Sequence, residues 1–388
     1  MEYNFTDVYD EDNVTNTTDL CPMQKGISEW ELCVYTLFAP QAVNIDRIVS
    51  PFWYCIGFIG NIITVHVWSN RRLKRLNTSS LYLSALAITD TMMLTLHILM
   101  ELEYAWGKPT LRYPVWCTIF FVLFYFSQYM SPLLVFGFTC ERFVSIIRPF
   151  KSERFSRHSR APKEVACLTI FAFLVSLGQI TGWHVTNGRI KPLHEKFYIK
   201  WSYVTEILIF IVIPIITLIF NILVMLTARQ ATKLRRESTS PHAYSTCEGQ
   251  NLHRKTATKI LPTTLTLMAV SFYRIFTTAP ISIIYMFQYE VFPYGEVSST
   301  SVIAVDPVWK NYFHWLAFKK ILDEVGLSQY SCNIFIYIVT ARHFRMELYR
   351  LLCSNTPCVD KDTMRKEFML SHQSNGASCT RPTNGSML

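Results

Sequence analysis

ILIFIVIPIITLIFNILVML (Ile207–Leu226) contains no charged residue. As a helix rising about 1.5 Å per residue, it is long enough to cross the roughly 30 Å hydrocarbon core of a bilayer. A soluble helix or strand would break such a run with polar positions every second or fourth residue. The stretch therefore reads as a membrane span. Working outward from it, similar runs fall at roughly 48–70, 79–104, 113–147, 164–186, 202–228, 257–289 and 312–340, each long enough to cross. The expected fold is an all-α seven-helix membrane bundle. Residues 341–352 follow as a short interfacial eighth helix, with Phe344, Leu348, Leu351 and Leu352 at helical spacing among Arg342, Arg345 and Arg350. Residues 1–47 read as an N-terminal tail and 353–388 as a disordered polar tail.

Charge and sequons fix the expected orientation. With the N-terminus outside, about 25 of the 37 Lys and Arg residues fall in the cytoplasmic loops and tail, on the side favoured by the positive-inside rule. Asn4, Asn13 and Asn16 each begin an Asn-x-Thr acceptor within an acidic N-terminal stretch, which fits a glycosylated extracellular segment. The net charge of +9 is thus a matter of topology, and a nucleic-acid partner is not expected. Met1–Leu20 lacks the apolar stretch of a cleavable signal, so the first span is expected to direct insertion. Eleven cysteines show no recurring zinc spacing. No nucleophile with a paired base and no phosphate loop is visible, so no enzyme activity is expected. The halves do not repeat one another, which weighs against a transporter. A transporter or channel nevertheless remains the alternative from another class.

Polar residues inside the spans carry a resemblance. Gly60-Asn61, the run Leu83-Ser84-Ala85-Leu86-Ala87-Ile88-Thr89-Asp90, Cys117 followed by Glu141-Arg142-Phe143, Pro149-Phe150, Pro214, Pro280 and Asn333-Ile334-Phe335-Ile336-Tyr337 fall in order across six helices. Together they resemble the rhodopsin-like G-protein-coupled receptors over about residues 48–352. The resemblance implies that Asp90, Ser131 and Asn333 hold an allosteric sodium ion, the one cofactor considered, with Tyr337 in the same activation machinery. Their oxygen atoms suit a hard cation; a protonated Asp90 in a polar cluster is the plainer reading. It also implies that Glu141, Arg142 and Phe150 serve G-protein coupling. Several positions depart from the family: Phe143 for Tyr, Ile334 for Pro, Phe173 for Trp, Ile222 for Tyr, and Phe276-Thr277-Thr278-Ala279-Pro280 for Cys-Trp-x-Pro. The family joins Cys117 to the second extracellular loop, but Leu177–Glu206 contains no cysteine. Either an N-terminal cysteine bridges to Cys117, or Cys21 pairs with Cys33. Arg274, deep in the sixth span, has no assigned partner; an Asp or Glu across the bundle and a side chain reaching water are both open.

The ligand is read from charge. Phe124 stands where amine receptors carry an Asp, and Leu327 where opsins carry a Lys. Glu101, Glu206 and Asp323, with Glu103 and Glu324, make the outer half acidic, and Lys319 and Lys320 offset part of this. Phe124, Tyr125 and Gln128 lie among them. Such an entrance attracts a cation, and aromatic faces stack on Arg or Phe. Glu101 and Asp323 are expected to sit lowest, while Glu103 and Glu324 fit solvated helix ends equally well. The pattern resembles the peptide branch, in particular invertebrate FMRFamide/myosuppressin-type receptors, and implies a basic amidated neuropeptide at the plasma membrane. A chemosensory receptor for small molecules is the alternative within receptors. Cys353 is a candidate for palmitoylation, arrestin and membrane lipid are expected partners, and Ser386-Met387-Leu388 fits a PDZ-binding terminus.

Overall fold

The computed structural model describes residues 21, 27–70, 79–147, 157–186, 189–191, 194–237, 265–286 and 300–353. Helix α1 covers Ile27–Phe38 and α2 Pro40–Ser69. They are followed by α3 (Ser79–Tyr104), α4 (Pro114–Ile147) and α5 (Arg157–Ser176), the last continued by a 3-10 turn at Leu177–Thr181. Strands β1 (His184–Thr186) and β2 (Arg189–Lys191) form an antiparallel hairpin. Next come α6 (Glu195–Thr205), a π-helical segment at Glu206–Val212, and α7 (Ile213–Glu237). The sixth span is α8 (Leu265–Met286). Then follow α9 (Thr300–Val305), α10 (Pro307–Ser328), α11 (Asn333–Thr340) and α12 (Arg342–Cys353). The chain divides into a unit ending at Arg342 and a second from His343 onward; in the latter, Arg350 pairs with Glu347 at 3.0 Å.

Among the described residues, six helices are long and apolar enough to cross a membrane. The seventh helix of the bundle is α10 continued by α11, and its α10 part carries Lys319, Lys320, Asp323 and Glu324. Ile59, Ile62, Ile170, Leu174 and Phe276 are exposed, while Asp90, Ser131, Arg274 and Asn333 are buried. This apolar-outside arrangement suits hydrocarbon surroundings. α2 packs along α3, α3 along α4, α4 along α5 and α7, and α10 returns to α2.

Local chemistry sets the ends and breaks. Pro40 opens α2 and Pro307 opens α10, where the missing N–H costs no helical bond. Asp306 caps α10 by accepting from the Val308 N–H at 2.8 Å. The π-helical segment runs up to Pro214 on α7. A proline there cannot bond four residues back, and the wider turn absorbs the mismatch.

The last span breaks at 329–332 although Ile334 replaces the usual Pro. The Asn61 amide takes the Tyr330 carbonyl at 2.9 Å, and the Ser331 hydroxyl donates to the Trp53 carbonyl at 2.8 Å. Gly57 and Gly60 permit this approach: a Cβ on Gly57 would lie 2.7 Å from Ser331 Oγ, and one on Gly60 2.9 Å from Ile334 Cγ2.

Of the boundaries that move, two change the reading. The first span begins at Pro40 rather than 48, so its first residues are helical and not tail. The fourth helix ends at Ser176 rather than 186, because the chain tightens and turns into β1.

Candidate functional site

Four helices converge on Asp90, which is fully buried. Ser131 Oγ of α4 donates to Oδ1 at 2.9 Å, and Asn333 Nδ2 of α11 donates to Oδ2 at 2.7 Å. Arg274 of α8 places Nη2 3.2 Å from both oxygens. Its guanidinium also lies 5.9 Å from the Tyr330 ring centre. Arg274 thus has the carboxylate partner across the bundle that its position in the sequence left open. A buried charge inside a membrane needs such an opposite charge. The donor set as it stands does not fit the sodium ion that the resemblance implies. Ser131 and Asn333 turn hydrogens toward Asp90, and a guanidinium covers both carboxylate oxygens.

A second buried cluster lies at the end of the bundle that carries α1. Carboxylate oxygens of Asp46, Glu101 and Glu324, from α2, α3 and α10, lie within 4.8 Å of one another. The Ser50 hydroxyl contacts both Glu101 and Glu324, and Glu324 Oε2 has no hydrogen-bond partner among the described residues. Lys320 bonds Asp46. Among the described residues, one ammonium, that of Lys320, bonds directly within this set of three carboxylates, while Glu101 also has the hydroxyls of Ser50 and Tyr54 and lies 3.8 Å from His97 Nδ1.

Sequence reasoning missed Asp46, having placed it in the tail; Pro40 ahead of an apolar run was the available helix-start signal. Glu324 is buried rather than a solvated helix end. Glu103 is buried too, but it holds a loop: it accepts from the Thr110 and Leu111 N–H groups at 2.6 and 3.0 Å and from Arg112 Nε at 3.2 Å. Asp323 is only half-buried and pairs with Lys319 at 2.9 Å. Tyr54 OH and His97 Nδ1, 2.8 Å apart, link the carboxylates to an aromatic layer. In that layer His97 and Phe124 rings stack at 6.4 Å, and Phe124 stacks on Phe120 at 5.9 Å. Tyr125 OH lies 3.5 Å from Tyr198 OH. Gln128 Oε1 is buried without a partner among the described residues. Glu206 is half-buried at the start of the π-helical segment.

A bundle of long apolar helices agrees with the comparison to known proteins. Residues 60–321 match the 7 transmembrane receptor (rhodopsin family) pattern. The chain belongs to this family. A neuromedin-U receptor 2 from Rattus norvegicus is 27% identical over 180 residues, 44% of this chain and 45% of that protein. The pyrokinin-1 receptor of Drosophila melanogaster is 30% identical over 142 residues, 36% of this chain and 33% of that one. A G-protein coupled receptor 183 from Salmo salar is 26% identical over 117 residues, 29% of this chain and 32% of that one. The chain spans less than half the length of these relatives.

The receptor's other signature positions can now be placed. Arg142 is buried, its guanidinium 5.4 Å from the Phe138 ring centre. Phe143, the aromatic after it, stacks on Phe220 of α7 at 4.6 Å with planes 3° apart. Tyr337 is buried edge-on to Trp68 at 6.1 Å. On α8, Thr278 donates to Gln329 Oε1 at 2.8 Å, while Phe276 is 74% exposed and fills no place in the core.

Cys21 and Cys33 are joined, and Cys117 is a free, buried thiol. The hairpin is held to α4 without a covalent bond. Trp183 stacks on Phe121 at 4.4 Å, and Thr118 Oγ1 donates to the Trp183 carbonyl at 3.1 Å. Phe150, Asn4, Asn13 and Asn16 lie outside the described residues; Cys353 is the last residue of α12.

Proposed function

We propose that this receptor binds a basic amidated peptide at the plasma membrane, with its N-terminus outside, and passes the signal to a heterotrimeric G protein. The observation that carries the reading is the Asp46–Glu101–Glu324 cluster. It is buried, it sets three carboxylates against the one ammonium of Lys320, and Glu324 Oε2 has no hydrogen-bond donor among the described residues. An arginine guanidinium supplies both positive charge and donors, with N–H groups in a planar fork matched to carboxylates. The adjoining aromatic layer offers faces for an aromatic or guanidinium group of the same ligand. The names of two relatives, a neuromedin-U receptor and a pyrokinin receptor, support a peptide ligand.

Signal transfer rests on Arg142 and its neighbours at the opposite end of the bundle, a position suited to release when helices part. Arrestin, lipid contact through α12 and a PDZ partner at Ser386-Met387-Leu388 complete the proposal.

The test is G-protein activation in cells expressing the full chain, screened with amidated peptides and, in parallel, small metabolites. A response to basic peptides that is lost in Arg142→Ala supports the reading. Silence to every peptide from protein shown at the cell surface, or a response to uncharged metabolites alone, contradicts it.

A further inference from the structure

We infer that Arg274 is the built-in cation of the Asp90 site. Its guanidinium takes the place of a metal ion there and binds α8 to α3, α4 and α11 from inside the chain. Four observations support this. Nη2 of Arg274 reaches both oxygens of Asp90 at 3.2 Å, so it lies on the bisecting approach that a bound cation would use. Both oxygens also accept other hydrogens, from Ser131 and Asn333. The carboxylate's lone pairs are thus committed to donors already in the chain.

Burial is the third. Asp90 is fully buried and Arg274 only 6% exposed, so the two charges balance where a lone charge would be costly and an added metal ion would leave net positive charge in a membrane interior. The fourth is the surrounding seam. Tyr273 OH lies 2.8 Å from Ser328 Oγ, and Thr278 bonds Gln329, one on each side of Arg274 along α8. Both partners lie where α10 ends and the break before α11 begins. Arg274 therefore sits at the centre of a row of side chains that fastens α8 to the last span.

A soluble ion can leave and return as its concentration changes; a guanidinium on the backbone cannot. The receptor's stability and resting state are accordingly independent of sodium, and the position is open to the ion only when the guanidinium is removed. This holds whatever ligand the outer cluster takes.

The test needs no ligand. The unfolding midpoint of the full-length receptor, purified in detergent, is measured in sodium chloride and in N-methyl-D-glucamine chloride at equal ionic strength. The wild-type midpoint is expected to be the same in both. Arg274→Gln, which removes the charge, is expected to gain a saturable rise with sodium, on the order of 2–5 °C. Arg274→Lys keeps a cation and is expected to stay indifferent. A saturable sodium-dependent rise in the wild type overturns the inference, whether or not the variants fold. So does a folded Arg274→Gln protein that ignores sodium.

Discussion

Arg274 on α8 and Asp90 on α3, 184 positions apart in the chain, meet at 3.2 Å in the buried centre of the bundle. Each leaves the other as an uncompensated charge if removed alone. Breaking one half of such a buried pair costs about 3–5 kcal/mol, whereas removing both charges costs far less. Asp90→Asn and Arg274→Met are each expected to lower surface expression and the unfolding midpoint sharply. The double variant is expected to recover most of the loss. Equal, additive losses would show that the two side chains do not depend on each other.

Charge loss at the outer cluster should act on a cationic ligand selectively. Glu101→Gln keeps the shape and the contact with Ser50 but removes a charge-assisted acceptor, a change of about 1.5–3 kcal/mol. Potency of a basic peptide is expected to fall by roughly ten- to a hundredfold, read from concentration–response curves. Asp323→Asn is expected to shift the same curves much less, because Asp323 is already paired with Lys319 nearer the water, where such pairs contribute about 0–1 kcal/mol.

Glu103→Gln should behave differently again. Its carboxylate accepts two backbone N–H groups and Arg112, so the expected result is faster hydrogen exchange at the Thr110 and Leu111 amides. Unchanged exchange there would remove the loop-holding role.

Trp183 holds the hairpin where a disulfide is missing. An aromatic pair contributes about 0.5–1.5 kcal/mol beyond its area. Trp183→Ala is expected to raise hydrogen exchange at Val185 and Ile190, which pair across the strands. It should leave α10 untouched.

Cysteine mapping checks the alternative bridge. Under non-reducing digestion, Cys21 and Cys33 are expected in one linked peptide pair and Cys117 as an alkylatable thiol after unfolding. Cys33→Ser is expected to release α1, whose Trp30, Val34 and Phe38 pack with Tyr312 and Phe313. It opens a crosslink of a kind that contributes about 2–4 kcal/mol. Cys117→Ala should not change sensitivity to reductant.

The bundle was legible because charge-free length is a direct reading of bilayer thickness. Asp90 was legible as a charge inside an apolar span, while Ser131 and Asn333 were joined to it by the family resemblance alone. Arg274's partner was not legible: its meeting with Asp90 depends on how four helices rotate, which no local pattern encodes. Asp46 was missed because Asp46-Arg47 looks like a polar boundary, and only Pro40 marks the true start. The end of the fourth helix was misplaced by treating residues up to 186 as one run. Asn187-Gly188, a dipeptide typical of tight hairpin turns, was the signal passed over. The break near 329–332 was hidden by Ile334, since side-chain hydrogen bonds from Asn61 and Ser331 divert the backbone there.

The most direct test of the carboxylate cluster as a cation seat is a charge cycle on both sides of the contact. A basic amidated peptide agonist and its arginine-to-citrulline analogue are compared on the wild-type receptor and on Glu101→Gln/Glu324→Gln. The predicted result is that citrulline lowers potency on the wild type by roughly a hundredfold and changes it little on the double variant. An equal loss on both receptors would place the arginine elsewhere and contradict the account.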